Sequence, residues 1–416
     1  MTGSASWYPV IRAAAAFLIM VVGTAGMFAG TVALKPMQEA FDISRGAATL
    51  PYMAFMVGFG LGSFWMGRVA DRLGAMRITV AGGLTLGLGF WIAGHADEPW
   101  QAILAHGLPI GLMGASTTMA PMVADVSLWF ERRRGLAVAV VISGAYVSGM
   151  VWPPVLEALT DAYGWRDMYL ALGALTFLAL PLLALVLRRP APRTVLTGPL
   201  EAAGSARPLG MRAPVLQALL CCAGLGCCIA MAAPQVHAVA MADDIGLRPA
   251  DGALMLSLMY GFGIVSRLGS GWISDRIGGL RTLTLGSAGQ AVALLLFLPA
   301  DGRLTLLVVA ALFGLSQGGI VPSYAIIIRE YFPARQAGGR IGMALLFTML
   351  GMAIGAWLAG AIHDLTGSYR VAFAGAVAVN IGHLGLAAFL LQRAAAQRRM
   401  QARSFDVERC SSGDLR

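Results

Sequence analysis

The sequence predicts an all-α membrane protein of twelve transmembrane helices in two pseudo-symmetric six-helix bundles. Three observations predict it. Apolar types make up 58% of the 416 residues and charged types 12%, against about 25% charged in an ordinary soluble domain. The apolar residues gather into runs of about 20, the length that crosses a bilayer as a helix. One loop motif occurs twice, at matching places in the two halves. The same figures exclude a soluble enzyme, a disordered chain and a secreted disulfide scaffold. The short alternating strands of a membrane β-barrel are absent.

Reading apolar runs between charged or Pro/Gly-rich breaks places the spans in order. Span 1 (10–34) is long enough to remain in the membrane rather than serve as a cleaved leader. Spans 2 (48–67) and 3 (77–95) flank an arginine-bearing loop. Span 4 (100–127) runs to a basic cluster, Arg132-Arg133-Arg134. Span 5 (135–158) carries Gly144 and Gly149 and meets Pro153-Pro154, and span 6 (167–187) stops at Arg188-Arg189. Span 7 (214–241) holds Cys221-Cys222 and Cys227-Cys228, read as small packing residues because zinc needs polar, tetrahedral surroundings. Spans 8 (251–274), 9 (281–299), 10 (303–328), 11 (340–362) and 12 (370–392) complete the set. The 53 glycines suit helices packed closely in lipid. The chain thus divides into an N-terminal half (1–187), a Pro- and Arg-rich linker (188–213), a C-terminal half (214–392) and a polar, solvated tail (393–416).

The net charge is +9 and the only lysine is Lys35. Loop arginines explain the charge better than a nucleic-acid partner does. Twenty-three basic residues fall on the side of the termini and six on the opposite side (Lys35, Arg45, Arg166, Arg248, Arg303, Arg370). The positive-inside rule therefore puts both termini in the cytoplasm. No P-loop, nucleophile elbow, dinucleotide fingerprint or metal-ligand spacing occurs, so no enzyme activity, cofactor or metal is expected.

The repeat is specific. Gly67-Arg68-Val69-Ala70-Asp71-Arg72-Leu73-Gly74-Ala75-Met76-Arg77 follows span 2. Gly271-Trp272-Ile273-Ser274-Asp275-Arg276-Ile277-Gly278-Gly279-Leu280-Arg281 follows span 8, 204 positions later. Asp161-Ala162-Tyr163-Gly164 is echoed by Asp364-Leu365-Thr366-Gly367. A duplicated six-helix unit can rock about a central site, the basis of alternating access. On these residues the chain resembles the major facilitator superfamily of secondary transporters. The resemblance implies that Asp71, Arg72, Asp275 and Arg276 form a cytoplasmic gate, closed in the outward-open state.

Arg267 lies in span 8, about 12 Å deeper than Asp275 at 1.5 Å per residue. An arginine at such depth costs about 2.5–3.5 kcal/mol by insertion scales and usually faces a watery cavity or a partner. An arginine in span 8 ahead of this motif resembles the monocarboxylate transporter branch. Trp129-Phe130-Glu131-Arg132-Arg133-Arg134-Gly135 resembles that branch and the oxalate/formate antiporters. The resemblance implies that Arg267 grips a carboxylate. Two positions depart from the animal pattern: Gly263 stands where an aspartate pairs with the arginine, and span 1 offers Met27-Phe28-Ala29-Gly30 in place of a lysine.

His237, beyond Pro234 in span 7, is a candidate for substrate binding and for proton coupling near neutral pH. Tyr324 and Tyr146 are candidate hydroxyl donors to a carboxylate. Asp125 is a weaker proton-coupling candidate, two turns from Arg132. Tyr52 and Asn380 are weak candidates. The expected protein is a functional monomer in a bacterial inner membrane. It moves a small organic anion, a monocarboxylate first, by proton symport or anion exchange. A multidrug or hydrophobic-compound exporter on the same fold and a non-transporting membrane sensor stay open as alternatives.

Overall fold

A computed structural model describes residues 7–130, 134–189 and 208–413, with the side chains of residues 71, 134, 135, 208, 334 and 335 and those beyond 397 left out. Arg132, Arg133 and most of the 188–213 linker lie outside the described residues. The described chain is helical, without strands. Eleven helices meet the length and hydropathy of a membrane span, from Tyr8–Val32 to Tyr369–Gln397. The twelfth, span 4, is continuous but not uniform. It runs as α-helix over Pro99–Ala105, as π-helix over His106–Ala115 and again as α-helix over Ser116–Trp129. Pro109 inside the π segment has no N–H to donate, which favours local rewinding over a regular turn. Two boundaries move from expectation. Span 2 begins at Arg45, and the last helix continues to Gly413.

The helices pair identically in each half. Spans 1 and 5, 2 and 4, and 3 and 6 pack together in the first bundle; spans 7 and 11, 8 and 10, and 9 and 12 repeat those pairs in the second. The duplicated motif turns in the same way in both copies. Gly74 has φ 84° and ψ 153°, Gly278 φ 83° and ψ 163°, and each N–H closes the helix before it by bonding to Ala70 O or Ser274 O. This backbone region is open essentially to glycine alone, so the fixed glycine of the motif marks the reversal between spans.

The bundles meet through span 2 against span 11 and span 5 against span 8. With an even number of spans, the start of span 1 and the end of span 12 lie at one end, here the proximal end; the other is the distal end. Among the described residues the ion pairs that cross between bundles gather at the distal end.

Candidate functional site

Between the two bundles, spans 1, 5, 7, 8 and 10 bring an arginine, aromatic rings and amides together. The Arg267 guanidinium stands 5.2 Å over the Tyr146 ring, from the opposite bundle. Both residues are half-buried. Arg267 makes no ion pair among the described residues. Tyr146 lies 5.8 Å from the Tyr260 ring, and Phe28 meets Tyr260 edge-on at 5.1 Å. Behind the rings the Tyr260 hydroxyl donates to Gln235 Oε1 at 3.1 Å, the Gln235 amide donates to Gln317 Oε1, and Gln317 Nε2 donates to the Met259 carbonyl at 3.3 Å. Tyr52 in span 2 is buried with its hydroxyl unpartnered. A cation set among rings and hydrogen-bonding amides suits a small anion with an apolar body. The described residues contain no cluster able to hold a metal ion.

The sequence-predicted residues separate on folding. Arg267 and Tyr146 come together. Tyr324 is buried inside the second bundle, bonded to His383 Nε2 at 3.1 Å and Cys227 Sγ at 3.3 Å. His237 is fully buried toward the distal end. Its Nδ1 meets the Tyr369 hydroxyl and its Nε2 the Ala356 carbonyl, both at 2.9 Å. Asp125 is held by Arg12 of span 1, while Arg132, its expected neighbour, lies outside the described residues. Nε and Nη2 of Arg12 reach the two carboxylate oxygens at 2.7 and 2.6 Å. Arg12, one of the twenty-three basic residues assigned to the side of the termini, is thus a buried residue at the proximal end.

At the proximal end the motif residues Arg72, Asp275 and Arg276 are exposed. Arg276 lies flat on the Trp272 ring, 3.3 Å from its centroid. The carboxylate that caps span 9 is Glu330, accepting from the Gly279 N–H at 2.8 Å, not the motif aspartate.

The distal end is latched across the bundles. Arg45 donates to Asp244 at 3.1 and 3.2 Å and to the Tyr369 hydroxyl at 2.9 Å. The Asp364 carboxylate accepts from the backbone N–H groups of Arg45 and Gly46, both at 2.7 Å. His363 Nε2 lies 3.3 Å from Asp244, and Lys35 pairs with Asp243 and Asp244. Burial alone would lower the Lys35 ammonium, but the hydrogen bond and charge of Asp243, joined by Asp244, hold it above the ordinary lysine value.

A sequence profile of the Major Facilitator Superfamily matches residues 15–301 and 218–408. The chain belongs to this superfamily. It is similar to rat Monocarboxylate transporter 13, 30% identical over 73% of this chain and 71% of the relative. It is also similar to human Monocarboxylate transporter 11, 29% identical over 87% and 79%, and to MFS transporter asaE of Aspergillus flavus, 25% identical over 75% and 70%. Among solved structures it shares its fold with a peptide transporter POT in complex with sulfate (TM-score 0.71, 14% identity, 92% of this chain and 94% of the other). The fold is likewise that of a bacterial homologue of the human lysosomal transporter Spinster in an inward-facing, occupied conformation (TM-score 0.71, 14% identity, 94% and 96%). This superfamily member is therefore a multi-pass membrane transporter of a small molecule, not an enzyme, and it resembles the monocarboxylate branch.

The sequence did not single out Tyr260, Gln235 or Gln317 as candidates, and Lys35 and Arg45 read as loop charges. A signal was present. Polar side chains inside otherwise apolar spans are costly and tend to face a cavity or one another.

Proposed function

We propose that this transporter moves small organic anions, monocarboxylates first, by alternating access, as a proton symporter or anion exchanger. The observation that carries the reading is Arg267, set between the bundles over the Tyr146 ring and without an acidic partner among the described residues. In this reading the guanidinium forks onto the carboxylate, and Tyr146, Tyr260, Phe28 and the Gln235–Gln317 pair enclose the rest. His237 and Tyr324 act by holding the surrounding helices rather than by touching substrate. Asp125 serves as a brace for Arg12 and not as a proton carrier.

In this reading the proximal end, which carries the basic loops, faces the cytoplasm and the membrane is a bacterial inner membrane. The latched distal end and exposed proximal motif then describe an inward-facing state. In the outward-facing state Asp71, Arg72, Asp275 and Arg276 close the cytoplasmic end. The halves 1–187 and 214–392 rock as units in a monomer, joined by the cytoplasmic linker 188–213, with the tail 393–416 on the same side.

The test is uptake of radiolabelled pyruvate, lactate and oxalate into proteoliposomes, with and without an imposed pH gradient. Wild type accumulates a carboxylate and Arg267→Ala loses uptake by about two orders of magnitude, as expected for removing a charged hydrogen-bonding group. Unchanged carboxylate uptake by Arg267→Ala overturns the reading. Export of hydrophobic compounds that is indifferent to Arg267 would favour the exporter instead.

A further inference from the structure

A buried carboxylate near the distal end is not used by the site above. Glu157 lies on span 5, two turns beyond Gly149, and is 8% exposed. It forms no hydrogen bond or ion pair among the described residues. Its side chain lines a cavity of about 100 Å³ whose other polar walls are Lys35, Glu39 and Asp243 and whose floor includes Val32 and Val239. The cavity spans the bundle boundary, since Lys35 and Glu157 belong to the first bundle and Asp243 to the second.

The charged surroundings are defined on each side. Span 5 itself contributes exposed Asp161. The extension of span 1 contributes Lys35 and Glu39, and the end of span 7 contributes Asp243 and Asp244. At the start of span 8, Asp251 is engaged by Arg303 and Arg248, while at the start of span 6 Arg166 turns away to the Ala96 carbonyl. The one cation on the cavity wall is therefore Lys35, already committed to Asp243 and Asp244. A carboxylate buried without a partner is costly as an anion but not as a neutral acid.

We propose that Glu157 is a proton-binding residue of the distal gate, and that its charge sets the gate through Lys35. With the proton on Glu157, Lys35 is left to bind Asp243 across the boundary and the gate stays shut. When the proton leaves to the distal medium, the Glu157 anion faces Asp243 across the cavity and draws Lys35 toward its own bundle. Both effects weaken the crossing pair and favour opening. The site binds and releases protons from one side, so it regulates the gate by distal pH whatever drives net transport. The proposal rests on the alternating-access reading but not on the identity of the cargo.

The test is a distance across the distal end of the full chain in nanodiscs. Nitroxides are placed on Tyr163→Cys and Ile245→Cys in a chain whose native cysteines are alanine, and no substrate is added. In the otherwise native chain the population with the short, closed distance falls by at least threefold as pH rises from 5 to 8.5. With Glu157→Gln added it stays closed throughout. A native chain that ignores pH, or a Glu157→Gln chain that keeps the full response, overturns the proposal. Dicyclohexylcarbodiimide, which modifies protonated carboxyls in apolar surroundings, gives a readout on wild type that survives misfolding of the variant. Mass spectrometry finds Glu157 modified at pH 5.5 and spared at pH 8.5, and equal labelling at both overturns the proposal. Because neither arm uses a substrate, failure here is separate from failure of carboxylate uptake.

Discussion

Arg267 in the second bundle stands 5.2 Å over the ring of Tyr146 in the first, so the candidate anion group is held across the cleft between the bundles. The ring supplies electron density and apolar surface without a counterion, leaving the guanidinium's donors available to a carboxylate. A cation–π contact is worth about 0.5–2 kcal/mol. Tyr146→Phe keeps the stack and is expected to transport with nearly unchanged KM. Tyr146→Ala is expected to raise the KM for carboxylate uptake by roughly three- to thirtyfold. Proteoliposome kinetics on the two variants check this.

Gly263 allows that stack to form. A Cβ added there would lie 2.7 Å from Tyr146 Cε1, closer than carbon atoms approach. An aspartate at this position would therefore push the ring from Arg267. Gly263→Asp is expected to lose carboxylate uptake rather than gain proton coupling, and Gly263→Ala to lose much of it. Uptake measured beside thermal melting separates a displaced ring from general misfolding.

Arg12 and Asp125 clamp spans 1 and 4 at the proximal end, with Arg12 also donating to the Tyr8 hydroxyl at 2.9 Å and the Arg189 carbonyl at 3.0 Å. Removing one member of a buried pair leaves an uncompensated charge and costs about 3–5 kcal/mol. Asp125→Ala is expected to lower the melting temperature markedly. The double change Arg12→Met with Asp125→Leu is expected to recover most of the loss, because neither charge then remains buried. A double variant no more stable than Asp125→Ala would contradict this account.

Arg45 and Asp244 carry the distal latch. Asp244→Asn keeps the shape and removes the charge shared by Arg45, Lys35 and His363. Loss of about 2–3 kcal/mol from the latched state, toward the low end for a partly exposed partner, shifts the closed-to-open ratio by roughly 30- to 150-fold. Spin-label distances across the distal end are expected to lengthen in Asp244→Asn and to remain short in Asp42→Asn, whose side chain is exposed.

With Glu157 uncharged, the Lys35 ammonium, held above its ordinary value by Asp243 and Asp244, contributes to closure at any pH below the unperturbed lysine value of about 10.4. That contribution is lost only as pH rises through the raised folded-state value. In the Glu157→Gln background the distal distance is therefore expected to stay short from pH 5 to about 10 and to lengthen above it. Lengthening near neutral pH in that background would rule out Lys35 as the charge that holds the gate.

Sequence alone determined the membrane class, the helix count and the duplication. Each follows from local quantities: run length against bilayer thickness, glycine where the turn demands φ near +84°, and a motif spaced by one half-chain. The depth of Arg267 was legible for the same reason, since rise per residue fixes depth. Which residues meet was not legible. Helix rotation and tilt are set by packing, so the sequence could not place Tyr146 against Arg267, seat Arg12 on Asp125 across a separation of 113 positions, or turn His237 and Tyr324 into helix contacts. The distal latch was hidden for a further reason. Its members come from the ends of spans 1, 2, 7, 11 and 12, and charges at helix ends read as ordinary loop polarity until tertiary structure brings the two bundles together.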